Sequence, residues 1–501
     1  MTSRLVAWRQ CGLAAAFGVI AVFGQAPYDQ PLILMAALIG ALYFFGRSKS
    51  PREAALFGWA FGTGYFAHAL HWIISPFMVD AARHGWMAPF ALLFLAAGLA
   101  LLWGLAFWLA RRLGRQTAWG LALTLPAVEL VRAYLFTGFP WAMFSQSLVD
   151  TSGGQALAWT GPYALNLVMI AVAILISQAA QTWATRTLRY GAVLLGLGAV
   201  ALPVMAPDAM LTDKSIRLIQ PNAAQRHKWD PAQIPVFFDR QLAYTSAPPV
   251  NGGGAPDLVL WSETAIPWIL DLAGPALDQI SQAGGKASVA LGVQRRDAQD
   301  YFNSMIVLDG TGDVVQSYDK HHLVPFGEYM PFAAFFTRVG VFGLAERALG
   351  GYASGSGPTL MDFGDLGRAL PLICYEAVFA HDVNGAPERP DFLIQITNDA
   401  WFGKAAGPRQ HLAQARMRAI EQGLPLARAA NTGISAMIDP FGRVLAALPL
   451  NEKGFVDAKL PKPLVPTIYS RTGDLPFAIV LLLGLVAASI SARWREDGLK
   501  N

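Results

Sequence analysis

Charged side chains are scarce in this sequence. Asp, Glu, Lys and Arg make up 14% of its 501 residues, against the usual ~25%, and the mean hydropathy is +0.37. Cysteine is nearly absent, with two residues, so a disulfide scaffold is excluded. The low charge and the 54% of hydrophobic residues also exclude disorder and collagen. This composition indicates that much of the chain lies in lipid.

Eight apolar runs approach the length that crosses a bilayer, for which a helix needs ~20 mostly apolar residues. The first run is expected to stay as a helix, because no small-residue cleavage site stands clear of the second. Glu129 and Arg132 interrupt the fifth run. They lie three apart on one helix face, and we expect them to pair, in a structural or a lipid head-group role. The runs lie at 9–25, 31–46, 54–75, 88–110, 117–136, 162–183, 189–206 and 475–492.

The basic residues between these runs indicate the orientation in the membrane. One alternate set of connections holds only Arg83, whereas the other set is rich in Lys and Arg. By the positive-inside rule we expect both termini in the cytoplasm. The expected domains are then seven helices in 1–206, an external domain in 207–474 (periplasmic in a bacterium), and an eighth helix with a cytoplasmic tail in 475–501. The basic connections are 1–10, 46–53, 111–115, 184–190 and 493–501.

Residues 207–474 have mixed charges, turn signals and short β-rich runs. Helical patterns at about 231–246, 272–284 and 405–423 interleave with these runs, which predicts a layered α/β domain. The sequence Asp309–Asp313 predicts a hairpin turn. The predicted strands are Ser215–Gln220, Asp257–Trp261, Ala287–Gln294, Ser304–Leu308, Val314–Tyr318, Ala369–Ile373, Phe392–Ile396, Ile434–Ile438 and Val444–Leu448.

Three chemically complementary residues follow predicted strands in this segment. Cys374 ends the run ALPLI, Glu263 comes just after DLVLW, and Lys320 comes just after VVQSY. Open α/β sheets bind ligands at the carboxyl ends of their strands. A free cysteine is often only a small buried hydrophobe, and Cys11 lies across the membrane, so the two cannot pair. A cysteine nucleophile needs a base and a cation, and these neighbours therefore favour a reactive Cys374.

The sequence motifs around these residues resemble those of a known family. Glu, Lys and Cys occur in that order in WSETAIPW, YDKHHLVPFGEY and LICYE, and NDAWFG follows. This pattern resembles the nitrilase superfamily of carbon–nitrogen hydrolases, and with the eight apolar runs the chain is similar to the apolipoprotein N-acyltransferase family. The resemblance implies an α+β membrane protein, in which an eight-helix transmembrane bundle carries an inserted periplasmic nitrilase-like αββα sandwich.

The resemblance also implies roles for individual residues. Glu263 matches the general base, Lys320 the lysine and Cys374 the nucleophile of a catalytic triad. Trp229 matches an aromatic at the substrate entrance, although a core aromatic would look the same, and Asn398 is as compatible with a turn as with a catalytic role. The expected supporting residues are Glu328, Tyr375, Glu376, Trp229 and Asn398.

The implied reaction is the transfer of an acyl chain from the sn-1 position of a phospholipid, mainly phosphatidylethanolamine. The acceptor is the N-terminal α-amine of diacylglyceryl-cysteine on an apolipoprotein, and a Cys374 thioester links two ping-pong half-reactions. No cofactor and no nucleic acid are expected, and the protein is expected to act as a monomer. His321 and His322 are adjacent and have no third ligand at a suitable spacing, so no metal site is expected.

Other interpretations share some of these features. A membrane-tethered nitrilase-type amidase would use the same triad on a small amide, and a transporter or scaffold would only bind. The apolar segment 329–351 is too short to span a bilayer. It is expected to be a lid that dips into the membrane or, alternatively, a helix packed in the core.

Overall fold

The computed structural model describes residues 2–114, 118–179, 198, 202–250, 253–332 and 351–497. The chain divides into two compact units. The first comprises Met1–Ala206, Ala405–Ala413 and Thr467–Asn501, and the second comprises Pro207–Lys404 and Gln414–Pro466.

The first unit is built from helices. Three described segments are long and apolar enough to cross a membrane: Ala81–Leu113, Ser152–Gln178 and Leu475–Trp494. Two shorter apolar helices cover Trp8–Gly24 and Pro31–Phe45. The predicted total of eight spans stays a prediction, and most of the seventh run lies outside the described residues. The long helices are Thr2–Ala21, Pro31–Phe45, Pro51–Ala69, Ala88–Leu113, Trp119–Tyr134, Leu157–Ala179 and Leu475–Asp497.

Glu129 and Arg132 form a buried ion pair within this unit. Arg132 Nε donates to Glu129 Oε1 at 3.0 Å, and Trp103 Nε1 donates to the same oxygen at 2.7 Å. Arg132 Nη1 also donates to the carbonyl oxygens of Phe139 and Trp141. The predicted pairing is confirmed. Since the guanidinium binds the backbone of the next segment, these contacts favour a structural role.

Ala405–Ala413 joins the first unit although it lies far along the chain. Gln410 is fully buried. Its Oε1 accepts a hydrogen bond from Trp141 Nε1 at 2.7 Å, and its Nε2 donates to the carbonyl oxygens of Ala26 and Ala69 at 3.2 Å each. One buried amide therefore ties three separate parts of this unit together, because a buried polar group is stable only when it is hydrogen-bonded.

The second unit contains two six-stranded sheets. The first sheet has the order β12-β1-β2-β3-β4-β5, and the second has the order β11-β10-β9-β8-β7-β6. All nine predicted strands are present. The strands are β1 (Leu211–Gln220), β2 (Leu258–Leu260), β3 (Ser288–Asp297), β4 (Asp300–Leu308), β5 (Val314–Asp319), β6 (Met361–Asp362), β7 (Arg368–Ile373), β8 (Phe392–Thr397), β9 (Leu426–Ala430), β10 (Ser435–Ile438), β11 (Val444–Leu448) and β12 (Gly454–Pro461).

Three strands were not predicted: β6, β9 and β12. β6 has two residues, which is too short for a pattern. The sequences LARAA of β9 and GFVDAKLP of β12 are rich in residues that are depleted in strands. Their neighbours determine them instead, because β9 pairs with β8 and β10, and β12 pairs along β1.

Two apolar clusters show how the layers pack. One combines residues of both sheets, such as Leu218 and Leu260 from the first and Ile394 and Ala427 from the second. The other lies on the opposite face of the first sheet, where the helices Ile234–Ser246 and Gly274–Gly284 contribute Phe238, Leu277 and Ile280. The predicted α/β layering, with two sheets and covering helices, is confirmed.

The parallel strands bring their carboxyl ends to common edges. β1, β2 and β3 are parallel neighbours in one sheet, and β7, β8 and β9 are parallel neighbours in the other. Glu263 follows β2, Cys374 follows β7 and Asn398 follows β8. Polar groups at these strand ends meet, because parallel strands end on the same side of a sheet.

A buried arginine joins β1 to the edge strand β12. Arg217 is fully buried and lies opposite Asp457 in the register. Its Nε donates to Asp457 Oδ1 at 2.7 Å and its Nη2 donates to Oδ2 at 2.8 Å. Its Nη1 donates to the carbonyl oxygens of Tyr244 and Ala247 at the end of a helix. Arg217 therefore fixes both a strand and the helix that covers it.

We expect Asp457→Ala to lower the free energy of unfolding by about 3–5 kcal/mol, because it leaves a buried guanidinium without its counter-ion. Thermal unfolding of the detergent-solubilised protein measures the change. Asp365→Ala is the matched control, since its side chain is 93% exposed and pairs with Lys214 at 3.7 Å. Equal unfolding midpoints for the two variants would contradict the stabilising role of the buried pair of Arg217 and Asp457.

Candidate active site

Glu263, Lys320 and Cys374 lie together at the strand ends of the second unit. All three are buried, with 6%, 1% and 5% of their surface exposed. Lys320 Nζ lies 3.7 Å from Glu263 Oε1, and Cys374 is close enough to both charges for its pKa to respond to them. Three segments that are distant in sequence therefore meet in one buried cluster, as their positions after strands predicted.

Both carboxylate oxygens of Glu263 are held in place. Asn303 Nδ2 donates to Oε1 at 2.6 Å, and the backbone N–H of Asn398 donates to Oε2 at 2.8 Å. The side chain of Asn398 does something else: its Nδ2 donates to Gln225 and its Oδ1 accepts from Asn431. Asn398 thus contacts Glu263 through its backbone.

Lys320 lies between two carboxylates. Its Nζ is 2.8 Å from Glu328 as well as 3.7 Å from Glu263. Burial alone lowers the pKa of Lys320, but Glu328 first and then Glu263 and Cys374 raise it, and the net pKa is well above the ordinary value. Asn303 Nδ2 also donates to Glu328 Oε1 at 3.0 Å. Glu328 therefore keeps a charged ammonium in the site.

Burial raises the pKa of the Cys374 thiol well above its ordinary value, and the negative charge of Glu263 raises it further. Lys320 and a hydrogen bond with Thr397 act in the opposite direction without cancelling these effects. The resting cysteine is therefore a thiol at neutral pH. Since the thiolate is the nucleophile, the site needs a base, and Glu263 is the carboxylate next to it.

The backbone at Cys374 adopts an unusual conformation, with φ of 52°. This left-handed region is strained for residues other than glycine and is common at functional sites. Glu376, fully buried, stabilises the turn. Its Oε2 accepts the N–H of Ile373 at 2.6 Å, and its Oε1 accepts the hydroxyl of Tyr318 and the N–H of His321, both at 2.8 Å. Glu376 therefore acts on the turn rather than on the thiol.

Tyr375 and Trp229 lie at the periphery of the cluster. Tyr375 is buried, and its ring packs edge-on against Phe379 and His322, with centroids 4.8 and 5.6 Å away. Trp229 is 41% exposed, so it is not a core aromatic. It lines a small pocket together with Lys228 and Ser262, the residue before Glu263. The role of Trp229 at a substrate entrance stays a prediction.

Sequence reasoning missed Asn303 and Lys228. Asn303 is buried in β4 and binds both Glu263 and Glu328. Lys228 is buried and its Nζ donates to the backbone carbonyl of Glu263 at 3.2 Å. No local signal singles out Asn303, because it lies beside Ser304 in the polar first half of β4, DYFNSMIVL. No local signal singles out Lys228 either, because the residues beside it in the chain are exposed.

Histidines surround Asp382 beside the nucleophile turn. Asp382 Oδ2 lies 2.7 Å from His322 Nδ1 and 3.6 Å from His321 Nε2, and its Oδ1 lies 3.4 Å from His381 Nε2. Burial opposes both shifts, yet Asp382 and Glu376 raise the pKa of His321 to about 10, and His321 and His322 lower the pKa of Asp382 to about 2.

This cluster also bears on metal binding. The ligand atoms of His322, His381 and Asp382 lie within 4.8 Å of one another, which is compatible with a three-ligand site. His381 and Asp382 lie about 60 positions after His322 in the chain, so the spacing around His321 and His322 does not reveal them. Since both oxygens of Asp382 face imidazole nitrogens, we assign the cluster a hydrogen-bonding role.

The segment 329–351, expected to be a lid, falls mostly outside the described residues. Tyr329–Phe332 and Gly351 are described, and Phe332 is 72% exposed. Its apolar residues Phe335, Phe336, Val339, Val341, Phe342 and Leu344 lie in the part that is not described. The lid therefore stays a prediction.

Comparisons with known proteins cover both units. Residues 217–468 match the carbon–nitrogen hydrolase family, and residues 17–175 match the apolipoprotein N-acyltransferase N-terminal domain. An apolipoprotein N-acyltransferase of Rhodopseudomonas palustris is 35% identical over 98% of this chain and 96% of its own. One of Sinorhizobium fredii is 36% identical over 95% of this chain and 94% of its own. A solved amidase from Nesterenkonia sp. aligns at 18% identity and a TM-score of 0.38, over 55% of this chain and 98% of that chain.

The charges around Cys374 predict opposite effects of two substitutions. Glu263→Gln removes a negative charge and should lower the pKa of the Cys374 thiol, whereas Lys320→Met removes a positive charge and should raise it. The pH dependence of alkylation by iodoacetamide measures both shifts. All variants carry Cys11→Ser, so that Cys374 is the single thiol that reacts.

Glu388→Gln is the control, because this glutamate is exposed and pairs with Arg368. The pH dependence of Cys374 alkylation in this variant should match that of the protein with Glu388 unchanged. Shifts of the same sign for Glu263→Gln and Lys320→Met would contradict the proposed electrostatics.

Proposed function

This chain belongs to the apolipoprotein N-acyltransferase family, and from that premise we propose its donor, its acceptor and its mechanism. It takes an acyl chain from the sn-1 position of a phospholipid, mainly phosphatidylethanolamine. It transfers the chain to the N-terminal α-amine of diacylglyceryl-cysteine on an apolipoprotein, which yields a triacylated lipoprotein. The observation that carries this proposal is the buried group of Glu263, Lys320 and Cys374.

In the first half-reaction, Glu263 removes the proton of the Cys374 thiol. The thiolate attacks the sn-1 carbonyl carbon, and the positive charge of Lys320 stabilises the oxyanion that forms. The ester C–O bond then breaks. Glu263 returns the proton to the leaving oxygen, so that a lysophospholipid departs as an alcohol and a Cys374 thioester remains.

In the second half-reaction, the α-amine of the acceptor attacks the thioester carbonyl. Glu263 takes a proton from the amine, the amide bond forms, and the C–S bond breaks; Glu263 then passes the proton to the departing sulfur, which restores the Cys374 thiol. Thiolate is a good leaving group, so the thioester keeps the reactivity that an amine nucleophile needs. Because one site serves both substrates in turn, we expect ping-pong kinetics.

The contacts of the supporting residues fit this scheme. Glu328 keeps Lys320 charged, and Asn303 with the backbone N–H of Asn398 directs the carboxylate of Glu263. Glu376 maintains the turn that carries Cys374, and Tyr375 packs behind it. Trp229 lines the entrance for substrate.

The chain is a membrane protein of a lipoprotein-processing family, and we propose its finer placement from the basic residues. The bundle of eight helices lies in the bacterial inner membrane, with both termini in the cytoplasm. Residues 207–474 then face the periplasm, between the helices of 1–206 and the last helix in 475–501. A phospholipid on the outer-leaflet side of this membrane is then within reach as the donor. The enzyme acts as a monomer.

Trapping of the acyl-enzyme tests the mechanism. Detergent-solubilised protein is incubated with phosphatidylethanolamine that carries a labelled sn-1 acyl chain, without acceptor. We expect label on the protein that hydroxylamine releases, because hydroxylamine cleaves thioesters. Cys374→Ala should carry no label, and the matched control Cys11→Ala should carry as much as the unsubstituted protein.

The absence of label from any phospholipid, with the protein folded, would overturn the lipid donor. Hydrolysis of a short amide by that same protein, lost in Cys374→Ala, would then favour the membrane-tethered amidase. Label that persists in Cys374→Ala would contradict the assigned nucleophile.

A further inference from the structure

A second buried lysine lies against the segment that carries Glu263. Lys228 is 6% exposed. Its Nζ donates to the carbonyl oxygen of Glu263 at 3.2 Å and to Thr264 Oγ1 at 2.9 Å. It also lies 5.0 Å from the centroid of the Trp229 ring, where the ring attracts a cation. The mechanism above assigns no role to this ammonium group.

The segment that Lys228 contacts is strained and tightly packed. Thr264 has φ of 45°, an outlier for a β-branched residue. Its N–H side faces Gly292 of β3 so closely that a Cβ on Gly292 would lie 2.4 Å from the Thr264 nitrogen and 2.6 Å from Glu263 Cα. Strained backbone persists only where its surroundings hold it, and here the backbone leads directly to the proposed base.

Three elements hold this turn from different sides. Ala265 N–H donates to the Gly292 carbonyl at 2.7 Å, and Gly292 N–H donates to the Ser262 carbonyl at 3.2 Å. Gln241 of the covering helix donates to the Ala265 carbonyl at 3.1 Å. Lys228 supplies the contact to Glu263 itself. Among the described residues, Lys228 is the charged side chain that donates hydrogen bonds to this turn.

We propose that Lys228 is a positioning residue for Glu263. Its ammonium fixes the Glu263–Thr264 turn, so that the carboxylate stays aligned with Asn303, with the N–H of Asn398 and with Lys320. Glu263 thus has a lysine on each side: Lys320 faces its carboxylate and Lys228 faces its backbone. This inference depends on the proposed function, because it assumes that Glu263 is the base.

The surroundings of Lys228 make its charge sensitive to pH. Burial lowers the pKa of Lys228, the negative charge of Glu263 partly restores it, and the result is about 8. Glu263 is the charged group that faces Lys228 across the turn. The covering helix presents the uncharged Ile234, Phe237, Phe238 and Gln241 to the same pocket, and Arg226, His227 and Asp230 on its own segment are exposed. Lys228 is therefore charged below that pH and neutral above it.

The test compares rates of thioester formation from labelled phosphatidylethanolamine in a single turnover, measured as a function of pH. Lys228→Met removes the hydrogen bonds at similar volume and should slow acylation by up to about 100-fold below pH 8, where Lys228 is charged, as for other misplaced reacting groups. The arginine of Lys228→Arg keeps its positive charge at every pH that is tested. The ratio of the unsubstituted rate to the Lys228→Arg rate should therefore fall as the pH rises through about 8.

Lys286→Met is the matched control, because Lys286 is an exposed lysine of the same unit, and it should keep the unsubstituted rate and profile. Absence of label in the unsubstituted protein and in Lys286→Met would overturn the proposed function itself. Normal labelling there, with an unchanged rate in folded Lys228→Met, would overturn only this inference. If Lys228→Met does not fold, a pH-independent ratio for Lys228→Arg overturns it instead.

Discussion

Lys320 lies buried between the carboxylates of Glu263 and Glu328, and the chemistry of the site depends on this arrangement. A buried ammonium is stable only when its charge is matched, and here two carboxylates surround one lysine. Burial keeps the pKa of Cys374 high, and the negative charge of Glu263 adds to this effect. In the proposed mechanism, Cys374 stays protonated until Glu263 removes its proton. In that mechanism, one ion cluster supplies the base, provides the cation for an oxyanion and contributes to the high pKa of the Cys374 thiol.

Strained backbone flanks this cluster on two sides. Cys374 and Thr264 both have positive φ; Cys374 is the proposed nucleophile, and Thr264 follows the proposed base Glu263. Buried polar side chains compensate: Glu376 binds the backbone before Cys374, and Lys228 binds the turn at Thr264. The family's proposed catalytic groups are thus held by a second set of buried charges. These supporting groups fix the geometry on which proton transfer and attack depend.

Apolar surroundings make these polar contacts strong in both units. In the helical unit, Glu129 and Arg132 pair beside Trp103, and Gln410 binds three separate segments. In the sheet unit, Arg217 joins β1, β12 and a covering helix. Each is a buried group with several partners, since a buried polar atom without a partner is costly. The specificity of the fold therefore resides in a few polar residues within a largely apolar chain.

Nine of the strands, and the positions of Glu263, Lys320 and Cys374 at strand ends, can be predicted from the amino-acid sequence. These features depend on local patterns, namely short apolar runs and the residue that ends each run. The sequence also predicts the pairing of Glu129 with Arg132, because a spacing of three places both on one helix face.

The groups that contact Glu263 become apparent in the folded chain and not in its sequence. Asn303 and Lys228 are 40 and 35 positions away from it in the chain, and the backbone of Asn398, rather than its side chain, provides the contact. β9 and β12 likewise form by pairing with neighbouring strands, and the fold brings His381 and Asp382 beside His322. The physical reason is that hydrogen bonds and charge effects act over a few ångströms in space, and separation along the chain does not encode those distances.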